Sequence, residues 1–336
     1  LRSFVGGLGK AFLAGVGRHS TSGTIPEALF FAYQMTFAII TPALIIGAFA
    51  ERMKFSALLL FSVGWLTLVY IPVCHMTWGG PGGFFYDLGV FDFAGGIVVH
   101  ITAGVAALVL CLVLGTRRGW PSQFMPPHNL TMTVTGTGML WVGWFGFNAG
   151  SALAASGHAA MALVATHISA SAAAITWMAI EWARAGKPSV LGIATGSIAG
   201  LAAVTPASGF VGPFGALVIG VASGAACYYA SVVMKLRIGY DDSLDVFGVH
   251  GIGGFLGTLL AGIFASEIFG GMQGDLAIGR QFGVQLLCAL ITVVYTAAVS
   301  YGLARLVGAL VGLRVDELGE EQGLDLQQHG ETGYNL

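Results

Sequence analysis

His100 and His250 are ionisable residues set in apolar sequence: FAGGIVVHITAGVAALVLCLVL around the first, DVFGVHGIGGFLGTLLAGIF around the second. Crossing a bilayer takes about 20 apolar residues, and both stretches are long enough. A charge at the centre of a spanning helix costs on the order of 3 kcal/mol or more, so such residues usually face a partner or a pathway. Each histidine follows an aspartate at the start of its stretch, Asp92 before His100 and Asp245 before His250. Two neutral imidazoles satisfy each other when one ring donates N–H to the bare nitrogen of the other. Two imidazolium rings would repel. Similar settings in different halves of the chain suggest two related repeats meeting near the bilayer midplane around a path for a small polar solute. The plainer alternative is two separately buried, hydrogen-bonded core histidines.

Other chemistry finds little support. The chain has no HExxH, GxSxG, P-loop or helix-opening GxGxxG pattern, so no catalytic residue is assigned and an enzyme is not expected. Cys74, Cys111, Cys227 and Cys288 are scattered singly without metal-ligand spacing, and neither a metal nor a cofactor is implied. His167 also falls within an apolar stretch and reads as an interhelical hydrogen-bonding residue.

The elements that must position these groups are membrane helices. Of 336 residues, 56% are hydrophobic and 9% charged, against about 25% charged in a soluble domain. The net charge of −2 leaves no basic surface for nucleic acid. The expected fold is all-α, a polytopic bundle with spans near 29–50, 56–74, 93–115, 131–151, 157–183, 189–206, 213–235, 247–268 and 281–311. Pairs of glycines four apart, such as Gly196 and Gly200 or Gly220 and Gly224, suit close helix packing.

Basic residues fall in alternate loops: Arg52 and Lys54, Arg117 and Arg118, Arg184 and Lys187, Lys235 and Arg237. The positive-inside rule makes those loops and the tail cytoplasmic. Residues 1–28 then form an extracytoplasmic segment, 29–311 the membrane domain and 312–336 an acidic cytoplasmic tail. Arg2, Lys10 and Arg18 run against that orientation, and the chain starts at Leu1. Both facts lead to the expectation that earlier spans are missing.

Five long segments then resemble one family. DFAGGIVVHITAG (92–104), FAIITPALIIGAFAERMKFSA (37–57), GWFGFNAGSA (143–152), KPSVLGIATGSIAGLAAVTPASG (187–209) and DVFGVHGIGG (245–254) are similar to motifs of the ammonium transporter (Amt/Mep/Rh) family. GLDLQQHGETGYN (323–335) resembles its cytosolic tail motif. Bacterial members have eleven spans in an inverted-repeat arrangement, of which these nine would be the third to the eleventh.

The resemblance implies roles. His100 and His250 match the twin pore histidines, Trp78 the outer recruitment tryptophan, Phe37 and Phe147 the stacked rings that close the vestibule. Ser151 matches the hydroxyl that accepts a hydrogen bond from the bound ion. Tyr33 stands where a further vestibule phenylalanine is expected. Asp92 matches the buried acid below the recruitment site and is read as structural, a carboxylate on a helix N-terminus, rather than as the proton acceptor. Trp78, Phe37 and Ser151 favour the Amt/Mep branch over the Rhesus branch.

The implied function is transport of ammonium, with methylammonium as an analogue. Aromatic faces attract a cation by about 0.5–2 kcal/mol each, whereas an unpaired ion buried in a low dielectric costs tens of kcal/mol in the Born limit. The ion must therefore shed its proton or be solvated along the way; ammonia can cross a hydrophobic lumen past the histidines, and the pair is one route for the released proton. The resemblance further implies a homotrimer in the cell membrane and a PII-type signalling protein docking on the cytosolic tail. The rival reading is a membrane ammonium sensor that signals through that tail.

Overall fold

The computed structural model describes residues 1–334; Asn335, the last residue of the tail motif, and Leu336 lie outside the described residues. Among the described residues nine helices build the bundle: α1 (Glu27–Ile46), α2 (Phe55–Trp78), α3 (Gly96–Leu114), α4 (Leu130–Ala149), α5 (Gly157–Ala185), α6 (Val190–Val204), α7 (Pro213–Ile238), α8 (Phe247–Phe264) and α9 (Ile278–Val311). They follow the expected spans with shifts of a few residues at the ends. The only strands described, Thr21–Ser22 and Ile25–Pro26, form a short hairpin before α1.

Seven of the nine are long and apolar enough to cross a membrane by length and composition; α4 and α6 are not. The 20 residues of α4 include four threonines and four glycines, which lower its hydropathy. Thr133 and Thr137 hide their hydroxyls by donating to the carbonyls of Asn129 and Thr133, four residues back. With 15 residues, α6 is about 22 Å long, and turns through Phe210 carry the chain onward. Asn129, Ser156 and Ser189 cap the starts of α4, α5 and α6 through their side-chain oxygens.

Small residues set the packing of α5, α6 and α7. A Cβ on Gly200 of α6 would lie 2.4 Å from the Ser169 carbonyl oxygen of α5, and one on Gly220 of α7 would lie 2.5 Å from the same atom. The backbones therefore touch, as the four-residue glycine spacing implies. Outward faces carry Ile39, Val142 and Val294, all exposed, as helices facing hydrocarbon require.

The two histidine helices run antiparallel, as an inverted repeat demands. Both open with a π-helical turn, Gly96–Ile101 and Phe247–Gly251, and both histidines lie in it. Such turns often mark functional positions. The segment before α1 lies at the Trp78 end, where His75 Nε2 meets the Arg2 carbonyl oxygen at 2.8 Å. The tail lies at the opposite, basic end. There Arg314 donates to the carbonyls of Leu114 and Thr116 at 2.9 and 2.8 Å, and α10 (Glu317–Gln322) sets Glu320 against Arg314 and Glu321 against Arg118.

Candidate functional site

The π turns of α3 and α8 bring His100 and His250 together. Nδ1 of one ring lies 3.2 Å from Nδ1 of the other, and the rings are within 16° of parallel. Both residues are buried. The approach depends on bare backbone one turn beyond His100, where a Cβ on Gly104 would stand 2.3 Å from Cα of Gly251. His100 Nε2 has no partner. The pair borders a cavity of about 290 Å³ whose other walls are largely apolar, including Ile40, Val99, Trp144, Phe147 and Ile198.

A shared Nδ1–H fixes the tautomers. The ring that donates Nδ1–H has a bare Nε2; the ring that accepts carries Nε2–H. The pair thus offers one acceptor and one donor, which suits a small neutral solute that can do both. Protonating both rings would set two N–H groups against each other at 3.2 Å.

Towards the Trp78 end, Phe37 and Phe147 stack at 4.3 Å between centroids, 31° from parallel. Phe147 borders the histidine cavity, while Phe37 borders an outer cavity of about 500 Å³ that also meets Trp78 and Ser151. The two rings therefore form the partition between the cavities. Trp78 packs edge-on against Phe37 at 5.4 Å, and its indole N–H donates to the Asp92 carbonyl at 2.7 Å, which fixes the plane of the ring. Ser151 Oγ donates to the Phe147 carbonyl at 3.1 Å, leaving its lone pairs as acceptors. Tyr33 stands behind these groups rather than on the cavity wall. Its hydroxyl donates to the Phe147 carbonyl at 2.6 Å and lies 3.0 Å from Ser151 Oγ.

Asp92 caps the start of α3. Oδ1 accepts from the N–H groups of Gly95 and Gly96, and Oδ2 from those of Ile97 and Val98, at 2.6–3.1 Å. These are the donors that a helix start leaves without intrahelical partners. The corresponding residue of α8 is Asp242, not the Asp245 singled out from sequence. Asp242 Oδ2 accepts the Phe247 N–H at 2.7 Å, while Asp245 forms an ion pair with Lys235. The spacing held the clue, because Asp92 and Asp242 each stand eight residues before their histidine.

Below the pair, His250 also borders an inner cavity of about 610 Å³ that reaches the basic end past Thr137, Asn129 and Arg117. Trp144 was not identified from the sequence. Its ring stacks on His100 at 5.5 Å and 17°, and its N–H is held by Thr205 Oγ1 at 2.9 Å. Its position three residues before Phe147, hence on the same helix face, was the available signal. His167 packs against Trp141 and Phe145, with no hydrogen bond among the described residues, so its expected interhelical bond does not form.

The model of the Ammonium Transporter Family matches residues 2–334. A putative ammonium transporter of Methanothermobacter thermautotrophicus is 51% identical over 317 residues, 93% of this chain and 77% of that protein. The ammonium transporter of Bacillus subtilis is 46% identical over 340 residues, 99% of this chain and 82% of that protein. The Saccharomyces cerevisiae Mep2 crystal structure superposes with a TM-score of 0.85 at 35% identity, covering 94% of this chain and 73% of that one. With motifs, helix order and backbone all in agreement, the chain belongs to the ammonium transporter family.

Proposed function

We propose that the chain moves ammonium nitrogen across a membrane as ammonia: the ion gives its proton to water of the outer cavity ahead of the histidine pair, and that proton is carried separately along the imidazoles. The observation that carries this reading is the Nδ1–Nδ1 contact in an otherwise apolar cavity, shut off from the outer cavity by Phe37 and Phe147. Ammonium is captured between Trp78, Phe37 and Ser151. The aromatic faces supply about 0.5–2 kcal/mol each and the serine oxygen accepts an N–H, which potassium cannot donate. Those contacts are far too weak to carry an intact ion past the partition. A neutral molecule can pass, accepting from one Nε2–H and donating to the other bare Nε2. Potassium cannot lose a proton and is rejected at that step.

Tyr33 holds Ser151 in place, and Asp92 keeps the first turn of α3 and the Trp78 ring in position. Residues 29–311 act as the transporter domain. The basic loops and the tail face the cytoplasm of the cell, the family's homotrimer supplies three such pores, and the tail offers a docking face for a PII-type protein. The test is ammonium-induced current and lumenal pH change in proteoliposomes. Replacing both His100 and His250 by Ala should abolish ammonium flux or its selectivity over potassium; transport that keeps both would reject the assignment.

A further inference from the structure

Where α3 and α8 meet at the histidines, Gly104 abuts Gly251 and Gly254 abuts Gly96 and the root of His100, so little side chain interlocks the two helices. Such a surface resists separation but offers little resistance to sliding. A hydrogen bond does not tolerate sliding, since a shift of about 1 Å from 3.2 Å already breaks it. Something with direction must fix the register, and two buried polar side chains tie the helix pair, one near each end.

At the outer end Gln285 of α9 is fully buried. Its Oε1 accepts the Phe91 N–H at 2.7 Å, and its Nε2 donates to the Phe91 carbonyl at 2.7 Å and to the Thr258 carbonyl of α8 at 2.9 Å. One amide thus joins the segment leading into α3 to the body of α8. At the inner end Arg52 is also fully buried. It donates to the Gly115 carbonyl just past α3 at 2.9 Å, to Asp241 Oδ2 and the Asp241 carbonyl ahead of α8 at 2.9 and 2.8 Å, and to the Ala48 carbonyl. Apolar side chains of similar volume would avoid the cost of burying these groups, so stability alone does not account for them. Apart from the Ala48 carbonyl and the Gln281 amide, each four residues away in the chain, their bonds run to the two histidine helices or the segments flanking them.

We infer that Gln285 and Arg52 are positioning residues that set the register of α3 against α8 and so hold the two imidazoles at hydrogen-bonding distance. The inference rests on the conduction reading above only for its consequence in flux, because the geometry is measured separately. The full chain, labelled with [15N]histidine and reconstituted in bilayers, should show an Nδ1–H resonance shared between two rings, identified by its loss in His250→Ala. In Gln285→Met and in Arg52→Lys that resonance should vanish. Saturating ammonium flux per folded protein should fall at least tenfold in both, and in Arg52→Lys, at the end away from the outer cavity, the half-saturating concentration should stay within twofold. Gln285→Met should remove nothing further from a His250→Ala protein.

A shared resonance that persists in both variants overturns the inference, as does failure of both to fold, which would make them stability residues only. Loss of the resonance with undiminished flux upholds the positioning role and counts instead against the conduction reading.

Discussion

Nδ1 of His100 and Nδ1 of His250 lie 3.2 Å apart although 150 residues separate them in the chain. The contact makes the two rings one unit: removing either leaves the other with an unpaired nitrogen and an undefined tautomer. Single replacements should therefore be non-additive. His100→Ala and His250→Ala should each lower ammonium flux by about as much as the double variant, within about twofold, as expected of residues in direct contact. Flux assays on the three proteins in liposomes check this; losses that multiply would show independent roles.

The Phe37–Phe147 stack stands between the outer cavity and the histidine cavity, one ring on the wall of each. Phe147→Ala removes half of it and opens a route for hydrated ions. Ammonium flux should persist while its preference over potassium falls at least tenfold, read from reversal potentials in planar bilayers. Retained selectivity would place the barrier elsewhere.

Asp92 is committed to four backbone donors. In Asp92→Asn the amide NH2 faces two of those donors and cannot accept from them. Each buried donor left without a partner costs about 1–3 kcal/mol, so the variant should lose roughly 2–6 kcal/mol of stability, seen as a lower denaturation midpoint in detergent. An Asn variant as stable as the parent but inactive would point to proton transfer at this carboxyl instead.

Asp241 gives a prediction in pH. Burial alone would raise its carboxyl, but the hydrogen bonds and charge of Arg117, aided by the charge of Arg52, outweigh it and hold the group below the usual carboxylate range. A carboxyl depressed in the folded state contributes stability above its unfolded value of about 4 and loses it as pH falls through the lower folded value. Asp241→Asn should cost about 3–5 kcal/mol near neutral pH, because it strands the buried Arg52. The gap between variant and parent should narrow below about pH 4. Melting curves across pH 3–8 report both effects, and a gap independent of pH would contradict them.

Most of the bundle was legible in the chain because a bilayer imposes its rules locally. Backbone groups must be satisfied within each span, so length, hydropathy and loop charge mark helices without reference to neighbours. By those same rules α4 and α6 are weak spans, one for its threonines and glycines and the other for its length. The motifs around His100, His250, Phe147 and Ser151 likewise stand out as short strings.

What the tertiary structure decided is which of these groups meet. The imidazole contact, the stacking of Trp144 on His100 and the bridges made by Gln285 and Arg52 all join different helices. Periodicity carries no information about such pairs, because a residue's face on its own helix does not say what stands opposite. That depends on how closely backbones approach at Gly104 and Gly251, and on where buried polar groups find partners once water is gone.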